Sequence, residues 1–264
     1  MFQKILKLFG VKKALTADQI LRYPQPKQYG RDQHSIRVPQ LDQDAVKVVQ
    51  RIQQMGCRAY IVGGSVRDLL LGRKPKDYDV VTDAHPQELR RMFANSRIIG
   101  RRFRLVHVVF RGNKVIEVST ARSLPSNRAE AKNSDELYLK RDNQFGTFKE
   151  DAARRDFTIN ALIFDIKNET IVDYTGGYED IEHRVVRVIG NPEISFPEDP
   201  VRMYRAVKFA AMLGLDLDPT TDLAAGRLEV LGERSRCPLP VLDEHPPGGA
   251  SGPDPPRLGR VAMG

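Results

Sequence analysis

The sequence predicts an α/β protein: a mixed, mainly antiparallel sheet with flanking helices, followed by the start of an all-helical region. Three observations predict it. Short runs rich in β-branched residues alternate with segments of helical period, two pairs of those runs flank hairpin turns, and the last regular segment is a long amphipathic helix. With 264 residues, 41% of them hydrophobic, the chain can build one sizeable core or two small ones.

Residues 1–40 read as an arm or linker. Residues 1–13 alternate apolar side chains with lysines, a pattern suited either to a frayed basic extension or to peripheral contact with an anionic membrane surface. Residues 14–40 are polar, contain proline and show no period. The folded unit is expected over 41–190. Over 41–55, Ala45, Val46, Val48, Val49, Ile52 and Met55 recur at helical spacing, and Gly56 closes the helix. A strand follows at 59–62, then a glycine turn, a helix over about 66–71 stopped by Gly72, a strand at 77–81 and a helix from Pro86.

Strands at 104–110 and 114–120 flank Gly112-Asn113, a hairpin signal. Residues 123–143 are polar and of both charge signs, which reads as a surface loop. A helix over 151–160 leads to a second hairpin, 162–166 and 170–174, and then to a strand at 185–189. Residues 191–222 are expected to begin a helical neck. Its helix runs over 200–213 with Asp199 as N-cap and Gly214 beyond its end; Met203, Ala206, Val207, Ala210 and Leu213 form the buried stripe, and Arg202, Arg205 and Lys208 share another face. Residues 223–264 turn proline- and glycine-rich, a composition that predicts disorder.

Charge narrows the functional classes. The 42 Lys and Arg against 34 Asp and Glu give a net charge of +8, which favours an anionic partner such as nucleic acid. No apolar run reaches the ~18 residues of a membrane span. Cys57 and Cys237 lie far apart in the chain, which suggests a reducing cytoplasm rather than a disulfide framework.

Two segments carry chemistry. Strand, Gly63-Gly64 and helix start follow one another, an arrangement in which glycines allow close approach of a phosphate to free backbone amides, and Arg67 can add a charged fork. A glycine pair before a helix by itself marks only a turn. Fifteen residues or so further on, Asp77 and Asp79 share one face of a strand, where their repulsion calls for cations; two Mg²⁺ ions would satisfy both and clamp an in-line phosphoryl displacement. Glu117, on its own strand, and Asp156 both stand open as a third catalytic carboxylate. Asp156 can alternatively accept a ribose hydroxyl, and Glu117 can be an ordinary exposed strand residue. Arg154 and Arg155 at adjacent helical positions suggest an anion clamp.

Residues 63–72 followed by Asp77-Tyr78-Asp79 resemble the nucleotidyltransferase motif of the class that holds CCA-adding enzymes and bacterial poly(A) polymerases. Arg154-Arg155-Asp156-Phe157-Thr158-Ile159-Asn160 resembles the second motif of that class, 173–180 with Gly176-Gly177 a third, and Glu198-Asp199-Pro200-Val201-Arg202-Met203-Tyr204-Arg205 the base-reading motif. The resemblance spans roughly 57–215. It implies a nucleotidyltransferase head with the stub of a helical neck, template-independent transfer of AMP from ATP to RNA 3′ ends, and catalysis by two Mg²⁺ ions. In that scheme Asp77, Asp79 and Asp156 are catalytic, Asp77, Asp79 and Glu117 hold metal, and Gly63, Gly64, Arg67, Arg154, Arg155, Asn160, Asp199, Arg202 and Arg205 bind the nucleotide. Residues 98–108 resemble the segment that separates the poly(A) polymerases from the CCA-adding enzymes, which are the alternative. An inactive RNA- or nucleotide-binding fragment is the other alternative, because members of the class continue into a long helical body where this chain turns to proline and glycine.

Overall fold

A computed structural model describes residues 25–100, 104–123, 145–222 and 224–225. The basic segment 1–13, the expected loop over most of 123–143 and the proline-rich tail beyond 225 lie outside the described residues. The elements are, in chain order, β1 (Lys27–Tyr29), α1 (Gln43–Gln54), β2 (Ala59–Val62), α2 (Gly64–Leu70), β3 (Asp79–Thr82), α3 (Pro86–Met92), β4 (Ser96–Ile99) and β5 (Leu105–Val109). There follow β6 (Val115–Thr120), α4 (Phe148–Ala153), β7 (Ile163–Asp165), β8 (Thr170–Asp173), α5 (Gly177–Glu182), β9 (Val185–Val186), α6 (Pro192–Glu198), α7 (Val201–Leu213) and β10 (Asp216–Leu217).

Eight strands form one sheet in the order β1-β8-β7-β2-β3-β6-β5-β4. Within this sheet only β3 and β6 pair in parallel and every other neighbour is antiparallel, so it is mixed and mainly antiparallel with flanking helices; β9 and β10 make a separate parallel pair. One face carries the main core. Ile61, Val80, Val106, Val118, Phe164 and Ile171, from six strands, share one buried cluster with α1, whose Ala45, Val48, Val49 and Ile52 are fully buried. Asp42 caps α1 by accepting from the amides of Asp44 (2.9 Å) and Ala45 (3.3 Å). Met55, expected in the buried stripe, follows the last turn of α1 and is half exposed.

Among the described residues, the opposite face is covered on one half only. Val62, Val81, Ala121, Phe148 and Ile163 make a small cluster there, with Phe148 edge-on to Tyr60 at 5.0 Å. Among the described residues, that face stays open over β6, β5 and β4: Ile99 and Val115 are 42% and 41% exposed.

Several boundaries differ from expectation. The second half of the expected arm joins the fold, because β1 pairs along β8 and Ile36 is buried in the core. Helix 151–160 is interrupted: α4 ends at Ala153, and a separate 3₁₀ turn covers Thr158–Asn160. The intervening backbone bonds sideways instead, with Thr158 N–H donating to Arg187 O (3.0 Å) and Ile189 N–H to Asp156 O (2.9 Å). Residues 192–198 form α6, capped by Asn191, and Asp199 ends α6 rather than capping α7; Pro200 occupies that cap. On α7, Ala206 and Leu213 are buried and Phe209 packs on the core, whereas Val207 is 56% exposed. Gly214 adopts the left-handed cap expected of it. No described helix is long and apolar enough to cross a membrane.

Candidate active site

Gly63 ends β2 at φ +81°, a conformation that L side chains rarely adopt. Its N–H donates to Leu162 O at 3.0 Å. A Cβ here would lie 3.2 Å from Arg155 Nη1 and 3.9 Å from Asp79 Oδ2, so a cation and a carboxylate flank the turn. Helix α2 begins at Gly64, two residues earlier than expected. Arg67 is therefore well inside α2 and buried, donating to Asn160 Oδ1 at 2.6 Å and pairing with Asp68 at 2.7 Å. It braces the site rather than reaching out as a fork.

Strand pairing places the candidate carboxylates. Directly opposed residues in neighbouring strands share a face, and one continuous row runs Val62, Asp79, Glu117, His107, Arg97 across β2, β3, β6, β5 and β4. That is the half-open face. His107 Nε2 lies 3.4 Å from Glu117 Oε2. Asp77 stands before β3, not in it, and is exposed. Burial pushes the Asp79 carboxyl up to about 6, aided by the negative charges of Glu117 and Asp77 and opposed by Arg155.

Among the described residues no three His, Cys, Asp or Glu side chains converge into a ready-made metal cage. The donor set nevertheless fits a hard divalent cation: oxygen ligands whose mutual repulsion a cation would relieve, Asp79 with Glu117 opposite and Asp77 two residues away.

A second group lies behind the glycine turn. Asn160 joins Arg67 to Asp156, donating from Nδ2 to Asp156 Oδ1 at 3.2 Å; the Phe157 amide donates to the same oxygen at 2.8 Å, and Arg205 Nη2 sits 2.8 Å from Asp156 Oδ2. Asp156 is thus bound to α7 and does not join Asp79; of the two candidates for a third carboxylate, Glu117 is the one in register with Asp79. Arg154 and Arg155 do not make a joint clamp. They follow α4 rather than lying in it, Arg154 donating to Ser123 O (3.0 Å) and Arg155 pairing with Asp151 (3.2 Å). Asp199 and Arg202 do come together, at 3.5 Å, with Arg202 also donating to the Ser195 hydroxyl.

Two contributors carried little sequence signal. The Phe209 ring meets the guanidiniums of Arg67 (5.0 Å) and Arg205 (5.6 Å) and is edge-on to Phe157 (5.6 Å), although it lies off the stripe read from periodicity. Asp151, the partner of Arg155, is signalled only by its i, i+4 spacing.

Comparison with known proteins adds to this geometry. Residues 59–187 match the model of the poly A polymerase head domain. Poly(A) polymerase I of Escherichia coli O6:H1 is 47% identical over 219 residues, 81% of this chain and 47% of the relative; the chain spans about half the length of the curated relatives it matches. The crystal structure of the Bacillus stearothermophilus CCA-adding enzyme in complex with CTP is similar at TM-score 0.59 and 38% identity, covering 69% of this chain and 42% of that one. A tRNA nucleotidyltransferase complexed with a primer tRNA and an incoming ATP analog is similar at TM-score 0.55 and 33% identity, covering 72% and 52%.

Proposed function

The chain belongs, through residues 59–187, to the poly(A) polymerase head-domain family, and on that premise we propose that it is a transferase adding AMP from ATP to RNA 3′ ends without a template. The observation that carries the proposal is the row in which Asp79 and Glu117 stand opposed on an open sheet face, with Arg155 and Gly63 beside them. Asp77, Asp79 and Glu117 would hold two Mg²⁺ ions. When bound, these supply Lewis-acid stabilisation of the reacting oxygens and of the departing pyrophosphate.

The chain's own groups position the reactants. Gly63 leaves room for a phosphate at the end of β2, and Arg155 sets positive charge beside it. Asp156, with Asn160, offers acceptors at ribose level once Arg205 yields its oxygen. Asp199 and Arg202 present an acceptor and a donor to the N6 and N1 edge of adenine. The RNA 3′-oxygen then attacks the α-phosphorus in line, the bond to the β-phosphate bridging oxygen breaks, pyrophosphate leaves, and the hydroxyl proton passes to water. A cytoplasmic setting follows from the substrates.

Addition of C, C and A to tRNA is the second reading, favoured by the structural similarity to the CTP complex at 38% identity, below the 47% to poly(A) polymerase I. The test of transfer itself is extension of a labelled RNA by the full chain with ATP and Mg²⁺. The parent should extend it and Asp79→Asn should not; equal extension by both would refute the assignment.

A further inference from the structure

The site described so far occupies the β2 and β3 side of the sheet's open face, and the rest of that face has no assigned role. Beyond Glu117 it consists of three rows. Ile99 and Leu105 are paired in one, Arg97 and His107 in the next, and Val109 with Val115 in the third. All six project to the same side as Asp79, since each lies an even number of residues from a member of its row. Leu105, His107 and Val109 are half-buried, whereas Ile99, Val115 and Arg97 are exposed. Arg97 makes no hydrogen bond or ion pair among the described residues.

In-line displacement gives this face a direction. The attacking and leaving oxygens stand on opposite sides of phosphorus. On the transfer reading the nucleotide's phosphates lie beside Gly63 and Arg155 at the β2 end of the row, so the attacking hydroxyl comes from the β6 end. The strand carrying the RNA then runs outward over β5 and β4. At the usual strand spacing Arg97 is roughly 14 Å from Asp79, room for a few nucleotides behind the 3′ end.

Resting on the transfer reading above, we infer that the open face of β4, β5 and β6 seats the last few nucleotides of single-stranded RNA, with Arg97 on a backbone phosphate and Ile99, Leu105, Val109 and Val115 under the bases. Its make-up suits that occupant: an unpaired guanidinium for the sugar-phosphate chain, and an uncharged aliphatic surface that accepts any base. A contact to phosphate and apolar surface gives affinity without sequence preference, as template-independent addition requires.

The test uses the full chain and a 5′-labelled single-stranded oligoadenylate, with affinity measured across a salt series and extension assayed in parallel. Arg97→Ala should weaken binding several-fold at low salt, reduce the slope of log K against log salt by about 0.7, and leave the KM for ATP unchanged. Arg51→Ala, on the exposed side of α1 behind the sheet, removes the same charge and should change the slope far less. Parent-like RNA affinity and slope in Arg97→Ala would overturn the inference, as would an equal effect of Arg51→Ala or concentration-dependent self-association through this face in place of RNA binding. An active parent with an unaffected Arg97 variant leaves the transfer reading standing. Conversely, RNA binding that depends on Arg97 in a parent unable to extend would support the seat and refute the transfer.

Discussion

Asp79 is held in a state that costs the fold stability. A carboxyl whose folded value rises from 3.8 to about 6 binds its proton more tightly in the folded than in the unfolded chain. Its contribution is therefore absent near pH 4, grows as a destabilisation while pH rises through that window, and is complete above about 6. It reaches on the order of 2–3 kcal/mol. Asp79→Asn should melt with the parent near pH 4 and higher than it at pH 7.5 without metal, while losing transfer activity. Mg²⁺ should raise the melting temperature of the parent only, and more at pH 7.5 than at pH 5.5, because proton and cation compete for the same oxygen. Gly177 carries a different constraint. A Cβ there would lie 2.1 Å from the backbone oxygen of Thr158, which no rotamer change relieves. Gly177→Ala should cost at least about 2 kcal/mol, read from the denaturant midpoint; a change under a few tenths would show that the turn is not held against Thr158.

At the scale of elements, α7 is tied through Arg205 and Phe209 to the group behind the glycine turn. Arg205 reaches Asp156, and Phe209 stacks against Arg67, which in turn holds Asn160. Arg202→Ala should raise the KM for ATP and narrow the preference for ATP over CTP by roughly ten- to a hundredfold, with little change in melting temperature. Lys208→Ala, on an exposed part of α7, should leave the KM for ATP alone and weaken RNA binding, with a shallower salt dependence. What the sequence disclosed about these elements follows physical lines. Helix α1 was legible because its apolar period and its closing glycine agree, and the β5-β6 hairpin because Gly112 and Asn113 take the positive φ values their types favour. The break after Ala153 was not legible, since helical composition continues while the backbone is claimed by residues 187 and 189, far along the chain. Arg154 caps α4, and its side chain and that of Arg155 turn to separate partners, Ser123 O and Asp151.

For the whole molecule, local patterns were enough for the class of fold but not for the sheet order. That Asp79 lies opposite Glu117 depends on a parallel pairing between strands separated by α3, β4 and β5, and no short-range signal specifies it. The motifs named the candidates; the register decides which of them stand together, placing Glu117 opposite Asp79 and leaving Asp156 with Arg205 of α7. Choice of nucleotide is also a property of the whole site. Adenine and cytosine both offer an amino donor beside a ring acceptor, so on the proposed reading Asp199 and Arg202 would discriminate only through the pocket that fixes them. The most direct measurement is the product ladder made by the full chain on a single-stranded RNA and on a tRNA lacking its terminal CCA, each with ATP, CTP or both in Mg²⁺. A long ladder of A on the single-stranded RNA, unaffected by CTP, is the predicted result. Efficient addition of C, C and then A to the tRNA, stopping there, would contradict it.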